Sequence, residues 1–121
     1  MKILITDDSR MGRKMMKKSV QEIIGEEYEL LEASNGQEAI DIYKEQKPKI
    51  CFMDLTMPIV DGFEATKEIC NFDKNAKIII VSADIQEGSM EKAKLNGAVG
   101  FINKPANPKN LSIMLEKLGL K

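Results

Sequence analysis

Ile50-Cys51-Phe52-Met53-Asp54-Leu55-Thr56-Met57-Pro58 runs four apolar residues into a carboxylate and then into a loop. An unbroken apolar run of that length suits a strand covered on both faces, the kind found in the middle of a parallel sheet. Asp54 then stands where the strand emerges, at the edge where parallel α/β sheets keep their ligand sites. A second emergence, Ile3-Leu4-Ile5-Thr6 running into Asp7-Asp8, supplies two more acids. Two unit charges roughly 4 Å apart at an effective dielectric of about 20 repel by about 4 kcal/mol. Acids gathered there therefore raise a pKa or recruit a cation, and a divalent metal is the simplest answer.

Outward from this stretch, β-type segments at 2–6, 28–33, 49–53, 77–81 and 99–102 alternate with helical patterns at 9–25, 35–46, 62–71, 84–96 and 108–118. Alternation of this kind predicts a parallel sheet wrapped by helices. The first, third and fourth segments are continuously apolar and read as central. The second is interrupted by Glu29 and Glu32, and the fifth contains Gly100 and ends at Asn103, so both read as edges. Ser34 with Gln37, Asp61 with Glu64 and Asp84 with Glu87 resemble capping boxes, Asn107-Pro108 an N-cap with Pro at the first helical position, and Gly97 after Asn96 a helix end. Met11, Met15, Met53 and Met114 fall where core residues are expected, whereas Met57 and Met90 fall at the surface.

The chain has 121 residues, 43% hydrophobic and 31% charged, which fits a single domain over 1–121 with no output domain. Its 18 basic and 19 acidic residues leave a net charge of -1, so no general attraction to nucleic acid is expected. The chain shows no apolar run long enough for a signal peptide or a membrane span, and Cys51 and Cys70 read as reduced, buried thiols; a cytoplasmic location follows as the expectation. With no histidine in the sequence, imidazole chemistry is excluded within the chain, and with no paired cysteine motif either, zinc is a weak reading.

Parallel strands bring their carboxyl ends to one edge. Four of those ends carry Asp7-Asp8, Asp54 with Thr56, Ser82-Ala83-Asp84, and Asn103-Lys104-Pro105. Taken singly, each has an ordinary explanation: a helix cap, a strand end, a solvated loop lysine. Acids, hydroxyl and ammonium converging on one edge fit phosphoryl transfer better. Mg²⁺ prefers one or two carboxylates plus phosphate oxygens and water, Lys104 and Ser82 can hold phosphate oxygens, and Asp54 can serve as the carboxylate nucleophile. Positioning and charge neutralisation do most of the work in such reactions, so the missing histidine is no obstacle.

Asp7-Asp8, Phe52 to Pro58 with Asp61-Gly62, Ser82-Ala83, and Phe101-Ile102-Asn103-Lys104-Pro105 resemble the receiver domain of two-component response regulators over essentially the whole chain. Among these the chain is most similar to the single-domain, CheY-like chemotaxis regulators. The resemblance implies a flavodoxin-like doubly wound α/β fold, a five-stranded parallel sheet in order 2-1-3-4-5 with five flanking helices, of which this family is a standard instance. It implies Asp54 as phosphoacceptor and one Mg²⁺ per chain, bound by Asp8, Asp54 and the Thr56 backbone carbonyl, with Asp7 acting through water. Lys104 and Ser82 would take the phosphoryl oxygens, and the Lys104-Pro105 bond would be cis.

The resemblance also implies a switch in which Ser82 moves towards the phosphate and Phe101 turns inward, changing the surface of the fourth helix, fifth strand and fifth helix; a static, buried Phe101 is the competing reading. Thr56 and Asp84 occupy the positions that tune phosphate lifetime, although the context of Asp84 favours a helix cap. Ala106 departs from the larger apolar residue common after the Lys-Pro pair.

By the same resemblance the phosphodonor is a sensor histidine kinase or phosphotransfer protein, and the target is a protein, a flagellar motor switch being one candidate. Neither nucleic acid nor membrane insertion is implied. The chain would be a monomer, with dimerisation on phosphorylation as an option, and it would catalyse only its own phosphorylation and dephosphorylation. A phosphate sink or a receiver outside chemotaxis is the alternative. A small aspartyl-phosphate phosphatase fits less well, because Thr56 stands where a haloacid-dehalogenase-like hydrolase wants an acid; so does a flavodoxin-like cofactor binder, because Asp7-Asp8 would repel its phosphate unless a metal intervened.

Overall fold

The continuously apolar runs become the middle of the sheet. The computed structural model describes residues 1–25, 27–83 and 86–120. Its elements are β1 (Lys2–Thr6), α1 (Arg10–Ile24), β2 (Glu29–Ala33), α2 (Gly36–Gln46), β3 (Ile50–Met53), α3 (Gly62–Phe72), β4 (Ile78–Ser82), α4 (Glu87–Leu95), β5 (Gly100–Asn103) and α5 (Pro108–Lys117). All neighbouring strands are parallel, in the order β2-β1-β3-β4-β5. The two segments expected at the edges are the edges.

Side-chain alternation divides the core into two layers. Leu4, Cys51, Met53, Ile78 and Ile80 face α2 and α3, meeting Ile40, Tyr43, Ala65 and Ile69. Ile3, Ile5, Phe52, Ile79 and Val81 face α1 and α5, meeting Met16, Val20, Leu111 and Leu115. Helices thus cover both faces, which is why Ile3 to Ile5 of β1, all of β3 and Ile78 to Val81 of β4 are apolar.

Four helices are capped by side chains: Ser9 Oγ accepts from Gly12 N, Asn35 Oδ1 from Glu38 N, Asp61 Oδ1 from Glu64 N and Asn107 Oδ1 from Asn110 N. The expected Ser34–Gln37 box is displaced by one residue. Gly36 N is already bound to Val60 O at 2.9 Å, so the helix starts at Gly36, Asn35 becomes its cap, and Glu38 reaches back to Ser34 N and Oγ. Helix α4 begins at Glu87 rather than 84; its N-cap is Gln86, with no side-chain capping bond, and Asp84 lies outside the described residues. Gly97, at φ 112°, follows its end as expected.

Two expected core positions are solvent-facing: Met11 and Met15 are 64% and 52% exposed. The buried stripe of α1 runs through Met16, Ser19 and Val20 instead, one residue out of phase with that expectation. Met57, expected at the surface, is buried in the β3–α3 loop, while Met53 is buried and Met90 exposed as expected.

Cys51 is a buried free thiol whose pKa burial pushes up to about 12, and burial likewise raises that of Cys70. No helix among the described residues is long and apolar enough to cross a membrane.

Between α2 and α3 the buried Tyr43 hydroxyl donates to Asp73 Oδ2 at 2.8 Å. That bond is the main cause of a depressed Asp73 pKa. Because the folded value lies below the unfolded one, the stabilisation is complete above the unfolded pKa of about 3.9 and is lost as pH falls through the folded value. Tyr43→Phe is expected to cost about 1 kcal/mol at neutral pH, the solvated carboxylate keeping the figure modest. In denaturant melts the gap between variant and parent should close below about pH 4; a gap that persists there would contradict this account.

Candidate functional site

Backbone bonds continue past the strand ends and set the acids side by side. Asp7 N donates to Ala33 O at 3.1 Å, Asp54 N to Thr6 O at 3.0 Å and Lys104 N to Ser82 O at 2.9 Å. One carboxylate oxygen each from Asp7, Asp8 and Asp54 lies within 4.8 Å of the others, with Asp7 and Asp54 buried and Asp8 exposed. Lys104 completes the group: its Nζ lies 3.0 Å from Asp7 Oδ2 and 3.3 Å from Asp54 Oδ2. The Lys104-Pro105 peptide is cis.

Each buried acid is also fixed on its second oxygen. Asp54 Oδ1 accepts from Leu55 N at 2.9 Å, and Asp7 Oδ1 accepts from Ser9 N at 2.9 Å. Burial pushes the Asp54 carboxyl above the usual range; Lys104 opposes this, the neighbouring charge of Asp7 adds to it, and the net direction is upward. For Lys104 burial works to lower the pKa, but hydrogen bonds and charge from Asp7 and Asp54 outweigh it and the net direction is also upward. The ammonium therefore stays charged and serves as the cluster's internal counter-ion.

A lysine alone leaves three carboxylates and one cation. Three oxygen donors this close, with no nitrogen or sulfur ligand among them, are the donor set a hard divalent ion prefers, so the residues fit Mg²⁺. Gly62 makes the loop around Asp54 possible: a Cβ there would lie 2.0 Å from Asp54 O and 2.8 Å from Leu55 Cα, while Gly62 N donates to Leu55 O at 2.9 Å. The loop and the first turn of α3 are pressed into contact directly behind the acid.

Ser82 ends β4 fully buried, opposite Asn103 in register. Thr56 is exposed in the loop two residues beyond Asp54. Phe101 is half-buried against the layer that holds Met53 and Ile80, and Asp84 lies outside the described residues. Arg13 went unnoticed in the sequence: its Nη1 donates to Asp7 O at 2.7 Å and its Nε to Glu32 Oε1 at 3.1 Å. A basic residue one turn into the first helix is visible in the sequence, but the carbonyl it would bind is not.

On the far side of the sheet edge, a cavity of about 430 Å³ opens between α4, β5 and α5, with Met90, Val99, Phe101, Met114 and Leu118 among its walls.

Comparison with known proteins places these features in company. The family model described as response regulator receiver domain matches residues 3–116. The chemotaxis protein CheY of Thermotoga maritima is 42% identical over 121 residues, covering 97% of this chain and 96% of that one. CheY of Halobacterium salinarum is 46% identical over 104 residues, covering 85% and 83%. Among solved structures, the CheX-CheY-BeF3-Mg+2 complex of Borrelia burgdorferi superposes with a TM-score of 0.85 at 31% identity, over 99% of this chain and 90% of that one.

Proposed function

This chain belongs to the response regulator receiver domain family, and from that premise we propose that it works as a phosphoryl switch, Asp54 being the acceptor and a partner phosphohistidine the donor. The observation that carries this reading is the buried Asp54 carboxylate, 3.3 Å from the Lys104 ammonium and within 4.8 Å of two further acids.

In the reaction an Asp54 oxygen attacks the phosphorus of the phosphohistidine, on a sensor kinase or a phosphotransfer protein. The O–P bond forms as the P–N bond breaks, and the imidazole leaves with the bonding pair and takes a proton from water. Lys104, already paired to Asp54, follows the charge onto the phosphoryl oxygens, and the Ser82 hydroxyl donates to another. Mg²⁺, when bound, neutralises charge between carboxylate and phosphoryl oxygens; Asp8, Asp54 and the Thr56 carbonyl would hold it directly, with Asp7 acting through water. Hydrolysis of the acyl phosphate restores Asp54, with Thr56 and Asp84 at the positions that govern water access. No external substrate is turned over. The Mg+2 and BeF3 in the B. burgdorferi neighbour support the same assignment.

The output surface is the face of α4, β5 and α5, whose apolar cavity includes Phe101 and Met114. Inward rotation of Phe101 would redraw it, and a small shift at a packed site is enough to bias such a two-state element. The CheY relatives favour chemotaxis and a flagellar motor component as the target, in a cytoplasmic monomer that phosphorylation could pair into a dimer. Service as a phosphate sink uses the same chemistry without a target, and a pull-down dependent on phosphorylation separates the two.

The chemistry itself is tested with acetyl phosphate. In the presence of Mg²⁺ the intact mass should rise by one phosphoryl group, and chelation of the metal should prevent the gain. An unchanged mass at saturating donor with Mg²⁺ would overturn the switch reading.

A further inference from the structure

The two aspartates after β1 are held very differently. Asp7's carboxylate is fixed at both oxygens, by Ser9 N at 2.9 Å and by Lys104 Nζ at 3.0 Å. Asp8 is exposed, and its carboxylate takes no hydrogen bond among the described residues. What the fold fixes is therefore the direction of its Cβ, which follows the backbone and with it the plane of the peptide that joins it to Asp7. That peptide's oxygen accepts the 2.7 Å bond from Arg13 Nη1.

Arg13 is well mounted for such a task. Its own amide donates to Ser9 O at 3.0 Å in the first turn of α1, its side chain is only 17% exposed, and its Nε is held 3.1 Å from Glu32 Oε1 on β2. Glu32 lies opposite Ile5 of β1 in the sheet register and also takes Lys17 at 3.2 Å. The guanidinium thus bridges the rigid sheet to the turn carrying both acids, and its planar fork fixes two directions at once, which an ammonium does not.

We propose that Arg13 is a positioning residue for the metal site: through the Asp7–Asp8 peptide it orients the Asp8 carboxylate, and so prearranges the acids for a divalent cation. The inference rests on the metal-dependent reading above. Groups that orient metal ligands without touching the ion commonly contribute about 10- to 100-fold to affinity.

The sign of the effect separates orientation from charge. Arg13 is a cation near a cation site, so by Coulomb's law alone its removal would tighten Mg²⁺ binding. Orientation predicts the opposite. In calorimetric titrations of unphosphorylated protein with MgCl2, Arg13→Ala should bind roughly tenfold more weakly than the parent. Arg13→Lys keeps the charge but not the two-ended fork, and should fall between them. An Arg13→Ala affinity equal to or tighter than the parent's overturns the proposal. Should Arg13→Ala lose its cooperative melt, Arg13→Lys decides: binding weaker by about threefold or more supports the clamp, and unchanged binding overturns it. A parent protein that binds no Mg²⁺ would instead overturn the metal-dependent function itself, so the two failures are distinguishable.

Discussion

Asp54→Asn should take up no phosphoryl group from acetyl phosphate, a fall in rate of more than about a thousandfold, because a neutral amide replaces the carboxylate proposed as nucleophile. The substitution keeps the shape of the side chain, and an amide oxygen can still accept from Leu55 N, the partner of Asp54 Oδ1 at 2.9 Å. Loss of labelling therefore reports chemistry rather than collapse. Stability supplies a second readout with its own sign. The folded carboxyl of Asp54 titrates above its usual range, chiefly through burial. An acid with a raised folded pKa is most stabilising below its unfolded value, and its contribution declines as pH rises through the folded one. In chelator-treated protein at neutral pH, Asp54→Asn should therefore melt above the parent, and the difference should vanish in acid. Labelling of the variant at the parental rate would move the acceptor to another residue.

Gly62→Ala should be strongly damaging, its Cβ making a closer contact than one at any other glycine. The new Cβ would meet Asp54 O at 2.0 Å and Leu55 Cα at 2.8 Å, and both are backbone atoms that no rotamer change can move aside. Alanine favours a helix over glycine by about 1 kcal/mol, so if local propensity decided the outcome the variant would be stabilised. Overpacking of a rigid contact costs about 3 kcal/mol or more when the backbone itself must yield. Clash should win, lowering the melting temperature by roughly 10 °C for a domain of this size. Labelling at Asp54 should slow as well, since the atom struck belongs to that residue's own peptide. A destabilisation below about 1 kcal/mol would show that the loop relaxes freely.

The sheet was legible because burial on both faces demands apolar residues through the middle of β1, β3 and β4, while Glu29, Glu32 and Gly100 mark the margins. The site was legible for the same reason: parallel strands must end together, and charged residues that follow apolar runs must then meet. What escaped were features set by tertiary contact. Ser34 and Asn35 are equally good caps in isolation, and the bond from Gly36 N to Val60 O chooses between them. Met11 and Met15 recur at a helical spacing, but packing onto the sheet places the buried stripe of α1 one residue later. Arg13's bond depends on where a carbonyl points, which no side-chain pattern records. Helix α4 buries only Ala93 and has no side-chain capping bond, so its start carried little signal.

The bond from Lys104 Nζ to Asp7 Oδ2 joins residues 97 apart in the chain. A contact between residues so far apart in sequence costs loop entropy when it closes, so it draws on the rest of the fold to hold it. A chain still emerging from the ribosome carries its three acids well before the lysine that offsets them. The charge balance of the acids at the sheet edge therefore depends on closure of the fold between residues 7 and 104, and not on any one segment alone.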